Sequence, residues 1–215
     1  MTARSPLAHR AAELAAAPAG LRELALLAQV AVRLHDAPGA PPRRAGSPAG
    51  GALVAAALGF PLPGVPNTAS GDGTRTALWL GPDEWLVVGP AGDEAALEAR
   101  LADALPREAG SVIGLSANRT VLELRGPHAR DVLAAGCALD LHPRAFGPGR
   151  CAQTLVARAP VILEQTAEEP TFRLFVRGSL AGYLADWLLD AATGVTASPA
   201  SPASGGASAP SAPPR

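Results

Sequence analysis

The most constraining feature of this sequence is an apolar stripe near its C-terminal end. Leu180, Tyr183, Leu184, Trp187 and Leu188 recur at positions i, i+3, i+4, i+7 and i+8, the spacing of one face of an α-helix. Such a stripe must be covered by other structure, and the β-type patterns that precede it can supply a sheet. The chain is therefore expected to pack helices on sheets.

The second half of the chain alternates between strand and helix patterns. Strands are predicted over residues 120–124, around Thr154, around Val161 and over residues 172–176. Gly126 and Pro127 are predicted to open a helix that continues through Ala135. This half therefore reads as a β-α-β-β-α unit that includes the striped helix.

The first half follows a similar plan. Strands are predicted over the later part of residues 24–34 and over residues 76–80, 84–88 and 111–115, with 76–80 and 84–88 forming a hairpin. Ser47 and Pro48 resemble a helix N-cap with proline in the first turn, ahead of the apolar run 52–58. Asp93 can cap a second helix, whose leucines recur every fourth residue until Pro106.

Two composition breaks set the predicted organisation. Residues 36–47 are rich in proline and glycine and are predicted to be a loop, and residues 193–215 form a Ser/Pro/Ala tail that is predicted to be disordered. The order is then an N-terminal arm over 1–20, a first unit over 21–116, a second unit over 117–192 and the tail. We assign the α+β class, with two split β-α-β-β-α units and mostly antiparallel sheets.

Composition narrows the function classes. Hydrophobic residues make up 48% of the chain and charged residues 17%, which is enough to build a core. A net charge of -1 and a pI near 6.4 argue against nucleic acid or an anionic membrane as a partner. The two cysteines and the lack of an N-terminal signal pattern or a membrane-span pattern favour a cytoplasmic protein.

A search for catalytic patterns yields no strong candidate. Neither a P-loop nor a dinucleotide fingerprint follows a strand, and the four histidines lack the i, i+4 spacing of metal ligands on a helix. Cys137 and Cys151 could form a nucleophile pair with His142, but small core residues are the favoured interpretation. No catalytic, cofactor-binding or metal-binding residue is assigned.

Six residues remain as candidates for structural or partner-contact roles. They are Trp79, Trp85, Arg119, His142, Arg144 and Phe146. The core is favoured for the two tryptophans, because buried aromatic rings remove large apolar areas from water. For Arg119 and Arg144, a solvated surface position is favoured over carboxylate binding. For Arg144 and Phe146, a loop held by a buried ring and an exposed anchor at an interface stay equally open.

Three sequence runs carry a resemblance to a known family. Residues 77–88 (ALWLGPDEWLVV), 118–127 (NRTVLELRGP) and 136–146 (GCALDLHPRAF) resemble the gamma subunit of heterotetrameric sarcosine oxidase. The resemblance continues through residues 148–154 and 183–190, includes residues 5–10, and excludes the tail.

The resemblance implies a reduced relative of the folate-binding T-protein fold, acting as a non-catalytic assembly subunit in sarcosine oxidation. It implies alpha, beta and delta subunits as partners, chiefly alpha. FAD, FMN, NAD, zinc and tetrahydrofolate are implied to lie on those subunits, with no cofactor in this chain. The alternative is a stand-alone folate-binding module or an aminomethyltransferase-like enzyme, which would need a pterin pocket.

Overall fold

The computed structural model describes residues 4–35 and 50–197. The helices are α1 Ala11–Ala15, α2 Gly51–Leu58, α3 Glu94–Ala104, α4 Ala129–Ala134 and α5 Ala181–Ala197. The strands are β1 Leu21–Leu24, β2 Ala28–Leu34, β3 Ala69–Gly71, β4 Thr76–Gly81, β5 Glu84–Gly89, β6 Gly110–Gly114, β7 Arg119–Arg125, β8 Arg150–Val156, β9 Ala159–Ala167 and β10 Thr171–Arg177.

The strands form two five-stranded sheets. The first sheet has the order β3-β4-β5-β2-β6, and the second has the order β1-β7-β10-β9-β8. Every pairing between these named strands is antiparallel. The predicted α+β class with antiparallel sheets is confirmed.

Each sheet carries its helices on one face and meets the other sheet on its opposite face. Alternate residues of β2 and β5, such as Val30 and Val87, share a buried cluster with Leu97 and Leu101 of α3. The intervening positions point the other way, so that Leu86 of the first sheet shares a cluster with residues of the second. The molecule is thus built in layers of helix, sheet, sheet and helix.

The predicted helical stripe covers the second sheet, with one exception. Leu184 and Leu188 of α5 are completely buried against this sheet's core. Trp187 is partly buried, and Gly136 lies against its ring so closely that a Cβ at position 136 would collide with it. Tyr183 is instead 41% exposed, and its hydroxyl accepts a hydrogen bond from the backbone of Arg158 at 3.3 Å.

The N-terminal residues are part of the second sheet's core. Leu7 and Leu14 are buried there, and the Arg10 guanidinium pairs with Asp186 of α5 at 2.7 Å. The acidic partners raise the pKa of Arg10 further above its ordinary value. Because β1 pairs with β7, Leu21–Leu24 extends the second sheet, whereas the predicted division at residue 21 assigns it to the first unit.

Several elements differ from the sequence prediction. Patterns did not predict α1, β1 or β3, and α5 extends through Ala197, so the prediction of disorder from residue 193 is wrong for 193–197. The predicted loop over 36–47, the cap at Ser47 with Pro48, and residues 198–215 of the tail lie outside the described residues. Helix α3 does follow Asp93, but that carboxylate binds Arg75 at 2.6 Å and makes no capping hydrogen bond.

Candidate functional site: the charged interface between the sheets

A row of charged and polar side chains crosses the face of the second sheet that meets the first. The Cα register pairs Arg22 with Glu123, Glu123 with Arg173, Arg173 with Glu164, and Glu164 with Cys151. One residue from each of the five strands therefore contributes to this row, which we call the charged row. Directly opposed side chains on one face lie close enough to interact, so its members act on one another.

The two acids of the charged row have different partners. Glu123 Oε1 accepts hydrogen bonds from Arg22 at 2.7 Å, where Arg22 remains largely exposed. Glu164 is only 3% exposed, and its Oε2 lies 3.7 Å from Arg173 Nη1, which is an ion-pair contact beyond hydrogen-bond distance. Neither Glu164 Oε2 nor Arg173 Nε has a hydrogen-bond partner among the described residues.

Burial dominates the electrostatics of Glu164. Removal from water disfavours the ionised carboxylate and raises the pKa of Glu164 to about 7, while Arg173 opposes that change. The carboxyl group can therefore hold or release a proton near neutral pH. A perturbed carboxyl in a cleft is a candidate functional group, although buried structural networks show the same property.

Glu164 borders a cleft of about 320 Å³ between the edges of the two sheets. Arg173 and Gln165 of the second sheet line it together with Ser70 and Thr76 of the first. Hydroxyl, carboxyl and guanidinium groups thus line the cleft. The cleft has the chemistry to hold a small polar group or ordered water.

The two cysteines are buried, and among the described residues neither thiol makes a hydrogen bond to His142. Cys151 Sγ lies 3.3 Å from the carbonyl oxygen of Thr68 and 3.5 Å from that of Trp79. Burial first, and Glu164 second, raise the pKa of Cys151 to about 12, which keeps the thiol protonated. His142 is exposed; its backbone N–H donates to Asp140 Oδ1, and its ring Nδ1 accepts from the backbone N–H of Arg144. The arrangement therefore does not form the nucleophile pair considered from the sequence.

Arg130 organises the loop that carries three of the candidate residues. Its guanidinium donates to the carbonyl oxygens of Leu141 and Phe146, the latter at 3.1 Å, and to Gln165 Oε1 at 2.8 Å. It also lies over the Phe172 ring, 5.2 Å from the centroid. One side chain of α4 thus fixes both ends of the turn between Leu141 and Phe146.

The structure separates the alternatives that the sequence left open for this loop. Phe146 is 5% exposed and its ring stacks on Phe172, with 6.4 Å between centroids. Arg144 and His142 lie on the exposed side of the same turn. The buried ring therefore holds the loop, while the two polar side chains face outward.

The two tryptophans lie side by side in the first sheet. Trp79 and Trp85 are Cα partners on β4 and β5, and both pack on the core beneath α3. Trp85 is 3% exposed, and its indole Nε1 donates to the Pro63 carbonyl at 2.9 Å. Trp79 is partly buried against the same cluster. Trp85 is therefore a core residue, whereas Trp79 is only partly buried.

Arg119 lies on the face that carries the charged row, at the opposite end. It precedes Glu123 on β7 by four residues, about 13 Å along the strand, and its Cα partner on β10 is Arg177. Arg119 is half-buried, and the pKa of its guanidinium is lowered by burial first and by Arg177 second. Among the described residues its side chain makes no hydrogen bond or ion pair, and Glu84 is the acid that acts on it electrostatically.

Sequence reasoning missed Glu164, Arg173 and Arg130. A signal existed for Glu164, because Glu164 and Gln165 interrupt an otherwise apolar strand whose residues 161–165 are all buried. Arg130 gave no signal, since an arginine in an amphipathic helix ordinarily faces solvent. Within the described ranges, no three His, Cys, Asp or Glu side chains lie close enough to hold a metal ion. In those ranges, too, no helix is long and apolar enough to cross a membrane.

Comparison with solved structures defines the class of this fold. The aminomethyltransferase T of the glycine cleavage system from Bartonella henselae superposes with a TM-score of 0.54 at 19% identity, covering 79% of this chain and 45% of that one. The two-sheet architecture is therefore an aminomethyltransferase T-like α+β fold.

Comparison with sequences gives the family. The model of the sarcosine oxidase gamma subunit family matches residues 43–194. The sarcosine oxidase subunit gamma of Corynebacterium sp. strain U-96 is 41% identical over 202 residues, covering 91% of this chain and 92% of that protein. That of Arthrobacter sp. is 44% identical over 195 residues, covering 88% and 90%. The chain belongs to the sarcosine oxidase gamma subunit family.

A solved enzyme contains a chain of the same architecture. The heterotetrameric sarcosine oxidase from Corynebacterium sp. U-96, in complex with pyrrole 2-carboxylate, superposes with a TM-score of 0.79 at 40% identity. The match covers 93% of this chain and 99% of that one. The resemblance that the sequence motifs suggested is confirmed.

Proposed function

We propose that this chain is a non-catalytic assembly subunit of a cytoplasmic heterotetrameric sarcosine oxidase, which oxidatively demethylates sarcosine to glycine. The observation that carries the proposal is the match to a chain of the heterotetrameric enzyme across 99% of that chain's length. Both sheets and their helices are included in such a match. The elements available to contact neighbours are therefore shared with a subunit of that assembly.

The proposal assigns the chemistry to the other subunits. Alpha, beta and delta subunits are the partners, chiefly alpha, and they carry FAD, FMN, NAD, zinc and tetrahydrofolate. The side chains of this chain support that division, because the Cys151 thiol is held protonated and Arg130 is committed to loop carbonyls. The one-carbon unit from sarcosine goes to tetrahydrofolate or is released as formaldehyde, and the electrons reach oxygen as hydrogen peroxide.

The proposal is tested by reconstitution. The full chain is co-expressed with the alpha, beta and delta subunits of its own enzyme, and a parallel preparation omits it. We expect a stoichiometric complex that oxidises sarcosine, and reduced assembly or stability when the chain is omitted. A chain that stays separate from these subunits during purification contradicts the proposal.

A second measurement distinguishes the assembly proposal from the stand-alone folate-binding alternative. Tetrahydrofolate is titrated into the isolated chain while the fluorescence of Trp79, Trp85 and Trp187 is followed. The assembly proposal predicts no saturable change in tryptophan fluorescence as tetrahydrofolate is added. Tight saturable binding, or turnover of sarcosine by the isolated chain, favours the alternative.

A further inference from the structure

Arg119 has two other arginines near it at the end of the inter-sheet interface opposite to Glu164; Arg119 is half-buried, whereas Arg4 and Arg177 are exposed. Arg119 and Arg177 are cross-strand partners, and Arg119 shares a cavity of about 230 Å³ with Arg4 and with Gly178, the neighbour of Arg177. Like charges at directly opposed positions of a sheet are destabilising. We call Arg4, Arg119 and Arg177 the arginine cluster.

Among the described residues, no acid forms an ion pair with an arginine of this cluster. Glu23, near Thr120, has both carboxylate oxygens engaged, by the hydroxyls of Ser5 and Thr120. Glu84 acts on Arg119 electrostatically, but no ion pair between them forms within 4 Å among the described residues.

The cavity has further features that suit a carboxylate side chain. Ser116 lines it beside Arg119 and brings a hydroxyl group. Leu26 lines it as well, remains 43% exposed, and offers an apolar surface to the methylene groups of an acidic side chain. Gln29, hydrogen-bonded to the backbone of Arg119 at 3.0 Å, holds the base of the cluster in place. The walls thus combine cationic, hydroxyl and apolar contacts.

We propose that the arginine cluster is a docking site for an aspartate or glutamate side chain of a partner subunit. A carboxylate that binds between Arg119 and Arg177 relieves their repulsion and gains charge-assisted hydrogen bonds beside the half-buried Arg119. The cluster therefore contributes to assembly while it opposes the stability of the isolated chain. This inference rests on the proposed function, because it requires a partner.

The test uses two substitutions at one position in the full chain. Arg119→Gln removes the charge and keeps much of the side-chain length, and Arg119→Glu reverses the charge. Arg125→Glu is the matched control, since Arg125 lies on the same strand, is 57% exposed and pairs with Glu169 at 3.6 Å. Affinity for the other subunits is measured over a series of salt concentrations, and thermal unfolding is measured on the isolated variants.

The expected results separate docking from folding. We expect Arg119→Gln to weaken assembly about thirtyfold, or about 2 kcal/mol, and Arg119→Glu to weaken it further. The affinity of both variants for the other subunits should depend less on salt concentration than that of the wild type, because the lost interaction is electrostatic. Isolated Arg119→Gln should unfold at the wild-type temperature or above it, whereas a merely structural role predicts a lower temperature.

Three outcomes overturn the inference. The first is a wild-type affinity and salt dependence for Arg119→Glu, and the second is equal weakening by Arg125→Glu. The third is unchanged assembly of the Arg119 variants, together with saturable stabilisation of the isolated wild type by phosphate that Arg119→Gln abolishes. That result would identify a small-anion site instead. If the wild-type chain itself does not assemble, the proposed function has failed, and this is distinct from failure of the arginine cluster.

Discussion

Replacing Glu164 with glutamine should change how the stability of this chain depends on pH. The side chain is 3% exposed, and its pKa is raised from 4.5 to about 7, chiefly by burial. Between these values the folded carboxyl keeps its proton while the unfolded one has lost it. Stability therefore falls as the pH rises from about 4.5 to about 7 and changes no further from this group above that range.

The magnitude follows from the size of the shift. Each pKa unit corresponds to about 1.4 kcal/mol, so the raised pKa of Glu164 amounts to a loss of about 3 kcal/mol at pH 8 relative to pH 4. Glutamine has nearly the same shape and resembles the protonated acid. From pH 4 to pH 8, the free energy of unfolding of Glu164→Gln minus that of the wild type should therefore rise by about 3 kcal/mol.

Urea unfolding of the isolated full-length chain, followed by tryptophan fluorescence, measures this difference at each pH. Contributions from other titrating groups cancel, because they are common to both proteins. Glu169→Gln is the control, since Glu169 is 60% exposed and should give a difference that stays nearly constant with pH. A constant difference for Glu164→Gln as well would refute the reasoning, because it would mean that burial does not raise the pKa of Glu164.

Three further substitutions or treatments test other contacts. Arg130→Met should destabilise the chain by about 3 kcal/mol in urea unfolding, because it leaves loop carbonyls without their charged donor; a loss below about 1 kcal/mol would contradict this anchoring role. Gly136→Ala should lower the unfolding temperature and change the emission of Trp187, because its Cβ collides with that ring, whereas Gly182→Ala, with open space at its Cβ, should do neither. The Cys151 thiol should resist an aromatic disulfide reagent at pH 8 in the folded chain and react readily in urea, which absorbance at the released thiolate measures in a Cys137→Ala background.

Local residue patterns predicted most of the helices and strands, because each of these elements has a simple helix-type or strand-type pattern in the sequence. Helix α3 and the striped part of α5 repeat their leucines with helical spacing, and β4 and β5 are aromatic and β-branched runs on either side of a short turn. The tryptophans of that hairpin were placed in the core on size alone, and Trp85 is there. Element type could be predicted where the element has such a local pattern of its own.

The missed strands depend on distant partners. Strand β1 contains Arg22 and Glu23 among its four residues, and its position is fixed by pairing with β7 about a hundred residues later. Strand β3 has three residues, and it is joined to the second sheet where Ala69 donates to the Gly149 carbonyl at 2.8 Å. Neither strand has a sequence pattern strong enough to predict it. Position in the sequence alone therefore assigned Leu21–Leu24 to the first unit, although this strand pairs in the second sheet.

The candidate site was less predictable than the fold, because its properties arise only when the sheets stack. Glu164 and Arg173 are nine residues apart in an ordinary strand-turn-strand segment, and nothing in their spacing indicates a pKa near 7. That pKa requires the first sheet to pack over Glu164. Similarly, Arg119 was visible as a possible carboxylate ligand, but its repulsion with Arg177 appears only in the register of β7 and β10.

The two ends of the sheet interface therefore differ in a way that bears on assembly. At one end, Arg22, Glu123, Arg173 and Glu164 alternate in charge, so that each acid lies beside a cation supplied by a neighbouring strand. At the other end, Arg119 and Arg177 are cross-strand partners on the same face, and neither forms an ion pair with an acid among the described residues, although Glu84 acts on Arg119 electrostatically. A chain selected only for its own stability gains from an acid at either of these positions. Two opposed arginines beside an open cavity are instead the arrangement expected where the missing carboxylate comes from another subunit.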